Sequence, residues 1–211
     1  MNAADVEAEA LMDRIAVVQA ERPDLPMATA LIVAEDALTA DRATALVEDG
    51  QPISAMLALV GSYARMGWLL DMAEAGHLTE ADVSMMLPRV WPISDPDDTD
   101  PRFLAAWMVA WHRNGRRTLL DDPTRPLPPG RRLDIFRGQV RGSAPGISWS
   151  LSLATAQRFA AGASLRVANP DPEVIAARVH RRTVMAYLTI RGEEEVIVDP
   201  AYCRVEKVAL R

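Results

Sequence analysis

One segment constrains the fold of this chain more than any other. Residues 121–132, DDPTRPLPPGRR, hold four prolines and a glycine. No regular element runs easily through such a stretch, because each proline fixes φ and removes an N–H donor. Before it, apolar residues recur at spacings of three and four; after it, apolar and polar residues alternate in short runs. Helices first and strands afterwards predict an α+β protein rather than a parallel α/β sheet. The segment is therefore read as a linker between an all-helical region, residues 1–120, and a strand-rich region, residues 133–211.

In the first region a helix is expected over residues 3–20, with Leu11, Ile15 and Val18 on one stripe and Pro23 and Pro26 beyond its end. Residues 27–47 predict one long helix, or two divided near Asp41, stopping at Asp49-Gly50. Pro52 suits a first helical turn. Met56, Leu59, Val60, Tyr63, Gly67 and Leu70 then continue a helix to Gly76. Thr79 to Asp82 has the form of a capping box and opens a helix to about Leu87, closed by Pro88 and Pro92. The polar loop SDPDDTDP follows, and Asp100-Pro101 caps a last helix. Phe103, Leu104, Trp107, Met108 and Trp111 form its stripe, read as core rather than as a stacking platform.

Composition bounds the chemistry. A chain of 211 residues is long enough for a substantial core. No apolar run approaches the roughly 18 residues of a membrane span. The acidic start MNAADVEAEALMD is unlike a secretory signal, so a soluble, cytoplasmic protein is expected. Cys203 is the single cysteine, which excludes an intrachain disulfide and Cys-rich metal sites. Neither His77 nor His112 has a partner at a ligand spacing, and no metal is expected. Residues 1–120 carry a net charge of −10 and residues 121–211 a net of +4. Such a division suits a C-terminal region that handles a phosphate-bearing ligand, or two halves that attract each other.

Polar groups that a fold does not need are concentrated in two segments, LDIFRGQVRGSAPGISWSLSLATAQRFA (133–160) and RGEEEVIVDP (191–200). Strands are predicted at 133–138, 147–150, 174–182, 184–188, 195–198 and 205–210, with Ser152 capping a short helix to Phe159. Arg137 shares a strand face with Leu133 and Ile135, and an inward arginine is costly unless it meets an anion. Its fork matches a pyrophosphate, and Gly138 would let a ligand approach the backbone. Asp134 or Glu195 could instead be its structural partner. Glu193 and Glu195, two apart at a strand edge, would face the same way, and their repulsion would raise the proton affinity of at least one. That suits a site where positive charge develops at a sugar carbon; an exposed strand end is the plainer reading. Arg178, Arg181 and Arg182 around His180 form a basic strand face, read as a solvated edge because no aromatics interleave with it.

Arg137 in IFRG, Ser148-Trp149-Ser150 leading into LSLATAQRFA, and Glu193-Glu194-Glu195 occur in the order Arg, Ser-x-Ser, Glu-x-Glu. Over residues 131–211 the chain resembles the mono-ADP-ribosyltransferases of the arginine-serine-glutamate class, the cholera-toxin-like and clostridial-toxin-like branch. The resemblance implies a C-terminal ADP-ribosyltransferase-like split β-sandwich that takes NAD as substrate and transfers ADP-ribose to a macromolecular acceptor, most simply a protein arginine. It implies that Arg137 binds the NAD phosphates, that Ser148 orients Glu195, that Glu195 stabilises the oxocarbenium ion, and that Glu193 serves the acceptor. Gly138, Ser148, Trp149 and Ser150 would line the NAD site. Two departures stand out: Trp149 replaces a small residue, and either stacks near nicotinamide or plugs the sheet; the acceptor loop 189–192 is short and carries Arg191. NAD glycohydrolysis, nucleic-acid modification and an inactive interaction module are the alternatives on the same fold. The helical region would then regulate, bind the target or an inhibitor or antitoxin partner, or belong to the catalytic core.

Overall fold

The computed structural model describes residues 3–23, 25–162, 169 and 171–208. The chain forms two compact units: Met1–Leu78 with Ile93–Pro96, and Thr79–Pro92 with Asp97–Arg211. The division thus falls near residue 78, not at the proline-rich segment.

The first unit is helical. Helices α1 (Ala3–Glu21) and α2 (Met27–Glu48) pack through Ile15 and Val18 against Ala30 and Ala34. Asp41 does not divide α2; it lies inside the helix and accepts from Arg14 Nη2 at 2.5 Å. The single helix expected up to Gly76 is instead two, α3 (Ile53–Met56) and α4 (Arg65–Glu74). A tertiary contact overrides the apolar periodicity between them. Asp36 Oδ2 accepts the Tyr63 N–H at 2.8 Å, and Thr39 Oγ1 accepts the Gly61 N–H at 3.0 Å. A Cβ on Gly61 would lie 1.9 Å from Asp36 Oδ1, so only glycine admits this carboxylate. Arg65 closes the irregular stretch by donating to the carbonyls of Leu57 and Val60 at 3.0 and 2.7 Å.

The second unit begins with α5 (Glu80–Val90) and α6 (Pro101–Arg113). Both therefore belong with the strands that follow, which answers for this part of the helical region where it sits. Thr79 and Asp82 form the reciprocal capping box, and Asp100 Oδ1 accepts the Arg102 N–H at 2.8 Å. Pro88 does not close α5: the helix continues to Val90, because a proline three residues from the end forfeits only one N–H bond before the chain turns into a 3₁₀ turn at Trp91. Phe103, Trp107 and Trp111 are buried as core, and the Trp91 ring meets Phe103 and Trp107 edge-on with centroids 5.8 Å apart in each case.

The sheet has seven strands: β1 (Leu119–Leu120), β2 (Arg132–Val140), β3 (Ser148–Ser150), β4 (Pro172–His180), β5 (Val184–Leu188), β6 (Glu195–Val198) and β7 (Val205–Val208). The part of the expected last strand at residues 209–210 lies outside the described residues. Their order is β1-β5-β6-β3-β2-β4-β7, one continuous hydrogen-bonded series, antiparallel except where β1 runs parallel to β5. An α+β class follows directly.

One face buries Leu133, Ile135, Trp149, Ile175, Val179, Tyr187, Val196 and Val198 as a core, joined by Leu127 from the proline-rich segment. That segment is more than a linker, since the Arg181 guanidinium also holds the carbonyls of Leu127, at 2.9 Å, and Pro128. Helix α7 (Leu153–Ala160) covers the other face through Ala156 and Ala160 on Val174 and Phe136, with Ser152 Oγ accepting the Thr155 N–H at 3.2 Å. Gly138 makes that packing possible: a Cβ there would lie 2.0 Å from the Ala156 carbonyl oxygen and 2.3 Å from the Ala160 nitrogen. Its bare backbone admits a helix, not a ligand, which corrects the reading of Gly138 as an NAD contact. Among the described residues no helix is long and apolar enough to cross a membrane.

Candidate functional site

Strand β3 lies between β2 and β6, and this order is what gathers the polar residues. In register, Ser148 faces Ile197, Trp149 faces Val196 and Ser150 faces Glu195. Because side chains alternate along a strand, Ser148, Ser150 and Glu195 share one face and Trp149 takes the other. Trp149 is 2% exposed within the core, and its indole N–H donates to the Gly146 carbonyl at 3.1 Å. It plugs the sheet and has no surface left for nicotinamide, so the assignment of Trp149 to a cofactor site is corrected.

Ser148 Oγ donates to Glu195 Oε1 at 2.5 Å, and the indole N–H of Trp91 donates to the same oxygen at 2.8 Å. Burial pushes the Glu195 carboxyl up from its ordinary 4.5 to about 7, against the downward pull of these two bonds, and the neighbouring charges of Glu193 and Asp98 add to the rise. A carboxyl whose proton affinity is raised by burial and by neighbouring acids is a candidate for a functional site.

Glu193 and Glu194 precede β6 rather than forming part of it. Glu194 has φ +48, a left-handed conformation uncommon for glutamate, and Gly192 before it has φ +70. The simple two-residue alternation expected across the acidic triplet therefore does not apply; the turn, not the pleat, brings Glu193 near Glu195. Ser150, 4% exposed, secures this turn by donating to the Glu193 carbonyl at 2.6 Å and accepting the Ser152 N–H at 3.0 Å. Its hydroxyl is committed to structure, so Ser150 does not serve as a cofactor contact. Arg191 Nε lies 3.5 Å from Glu193 Oε1 while its Nη1 donates to the Pro92 carbonyl at 3.1 Å. Asp121 holds the preceding loop by accepting the N–H groups of Thr189 and Ile190 at 2.6 and 2.7 Å.

Arg137 meets an anion, as its inward position demanded, but the anion is Asp98. Nη1 and Nη2 bind the two carboxylate oxygens at 2.5 and 2.9 Å, with both side chains about 15% exposed. Nη1 also donates to the Ser148 carbonyl at 2.7 Å and Nε to Gln139 Oε1 at 3.3 Å. These bonds engage four of the five guanidinium N–H groups. Asp98 Oδ2 further accepts the Ser148 N–H at 3.0 Å, and the Asp98 carbonyl accepts the Ile147 N–H at 3.2 Å. A Cβ on Gly146 would lie 2.4 Å from this carboxylate, so glycine is required for Asp98 to enter. Neither Asp134 nor Glu195 is the partner: Asp134 pairs with Arg178 at 2.6 Å.

Asp98 and Trp91 are the site residues that sequence reasoning missed. Asp98 is one of several aspartates in a polar loop, 39 residues before Arg137, and Trp91 lies 104 residues before Glu195. Nothing local in the sequence marks either; only the unexplained inward arginine signalled that some anion had to exist. Among the described residues no group of three or more His, Cys, Asp or Glu side chains is placed to hold a metal ion. No protein-family model, curated protein or solved structure matches this chain.

Proposed function

We propose that this protein transfers ADP-ribose from NAD to a macromolecular acceptor, most simply a protein arginine, with release of nicotinamide. The observation that carries the reading is the Glu195 carboxyl, held on one oxygen by Ser148 Oγ and Trp91 Nε1 beside Glu193. The order of arginine, serine triplet and glutamate pair supports it.

In the reaction, the bond between C1′ of the nicotinamide ribose and the ring nitrogen breaks, and its electron pair leaves with nicotinamide. Positive charge develops at C1′, where the ionised Glu195 stabilises it. The acceptor nucleophile then forms the new bond to C1′, and Glu193 takes its proton. Ser148 and Trp91 hold the Glu195 carboxylate in one orientation without competing for its second oxygen. Arg137 acts mainly through Ser148, whose carbonyl it binds, and offers one remaining N–H to a phosphate oxygen.

Incubating the purified protein with labelled NAD and a cell lysate tests the reading. Labelled protein that disappears with Glu195→Gln is the expected result, and equal labelling by both forms refutes it. Nicotinamide release without a labelled target identifies an NAD glycohydrolase instead. Nuclease-sensitive label identifies a nucleic-acid acceptor. Failure to bind NAD in calorimetry identifies an interaction module.

A further inference from the structure

The acceptor side of the site already holds a guanidinium group. Arg191 sits in a turn that other groups build: the Gly192 N–H donates to the Thr189 carbonyl at 2.8 Å, and Asp121 accepts the N–H groups of Thr189 and Ile190. Gly192, at φ +70, then brings Arg191 and Glu193 back towards each other. Arg191 Nε lies 3.5 Å from Glu193 Oε1, and Nη1 donates to the Pro92 carbonyl at 3.1 Å. Pro92 follows Trp91, whose indole N–H holds Glu195. One short turn therefore anchors both the Glu195 carboxyl and the arginine that rests on its neighbour.

The pairing is unequal. The Arg191 side chain is 42% exposed and can leave for water at little cost, whereas Glu193, at 15%, has little water to replace its partner. A carboxylate so placed retains its demand for a cation. Another cation meets that demand when Arg191 departs; a neutral molecule such as water leaves the charge unmatched. Two guanidinium groups on one carboxylate would also repel each other, which favours exchange of one for the other.

We propose that Arg191 determines which acceptors this site takes: it holds the guanidinium position on Glu193 and yields it to a cationic acceptor, not to water. The inference rests on the transferase reading, in which Glu193 takes the acceptor's proton, and adds to it a residue of the chain that competes with the substrate. An Arg191 that merely braced the loop against Pro92 would support acceptor binding instead, so the two roles have opposite signs.

Ethylguanidine, a single alkylguanidinium, is the probe. With NAD present, R191Q should reach half-saturation by ethylguanidine at a concentration about fivefold lower than wild type, the upper range for an exposed ion pair. Nicotinamide release with water alone should rise. R191K, which keeps the charge, should stay within about twofold of wild type. R178Q removes another exposed arginine, paired with Asp134 away from the site, and should leave half-saturation in place. A half-saturation that is unchanged or higher in R191Q, or an R191K protein that behaves as R191Q does, overturns the proposal. An NMR titration with ethylguanidine in the absence of NAD reads the same order of affinities without turnover. A protein that releases no nicotinamide refutes the transferase reading, while that titration still decides what Arg191 does.

Discussion

Replacing Glu195 by glutamine isolates the desolvation of one carboxylate. Both hydrogen bonds to Glu195 land on Oε1, from Ser148 and Trp91. A glutamine with its carbonyl oxygen in that place accepts both, and the side-chain shape is unchanged. What disappears is the cost of ionising a carboxyl whose affinity for a proton has been raised from 4.5 to about 7. Between those two values the folded chain keeps a proton that the unfolded chain has released, so folding stability declines as pH rises through this window. The cost works out at about 1 kcal/mol at pH 5 and about 3 kcal/mol at pH 8. Glutamine carries no such cost at either pH. Urea denaturation of both proteins at the two pH values should therefore show Glu195→Gln gaining about 2 kcal/mol on the wild type from pH 5 to pH 8. A difference that is constant with pH, or a variant that loses ground as pH rises, would mean that the carboxylate is solvated and well stabilised. The electrostatic basis of the proposed site would then fail, whatever the labelling assay reports.

Two further perturbations probe the surroundings of that carboxyl. Trp91→Phe keeps an aromatic ring edge-on to Phe103 and Trp107 but removes the N–H that favours ionised Glu195. The rate of nicotinamide release should fall about tenfold, and its rising pH limb should move upward; a lower rate with an unmoved limb would make Trp91 merely structural. Gly138→Ala places a Cβ 2.0 Å from the Ala156 carbonyl oxygen, a backbone atom of α7 that cannot turn aside. Chemical denaturation should show a loss of about 3 kcal/mol, whereas a loss under about 0.5 kcal/mol would mean that α7 does not press on β2 as described.

The local elements were legible because their causes are local. Thr79 with Asp82, Asp100 before Pro101, and Ser152 before its short helix each satisfy N–H groups within a few residues, so the caps could be read directly. Six strands of the second unit were expected, Leu133 to Gly138 by its alternation, but β1 (Leu119–Leu120) was not: it falls in the region read as all-helical, and two residues are too few to show a period. The break between α3 and α4 could not be read, since it depends on Asp36 reaching Gly61 and Tyr63 from another helix. The apolar spacing across residues 56–70 is as good for one helix as for two.

At the candidate site the gap is of a different kind. Sequence chemistry correctly stated what two residues require: an anion for Arg137 and close backbone approach at Gly138. It did not say who supplies them, and the NAD-centred reading assigned both to a ligand. The chain supplies both itself, through Asp98 and through α7. An inward arginine satisfied by the protein's own carboxylate becomes a brace: it grips the Ser148 carbonyl while Asp98 grips the Ser148 N–H, leaving the hydroxyl directed at Glu195. The two charged groups of this site are thus treated in opposite ways. Arg137 is neutralised by a partner, whereas Glu195, with acids rather than bases beside it, is left to hold a proton near pH 7. A carboxyl kept short of counter-charge is the group best able to meet a cation that arises only during reaction, and that contrast, more than the motif order, is why Glu195 is the residue on which the proposed chemistry turns.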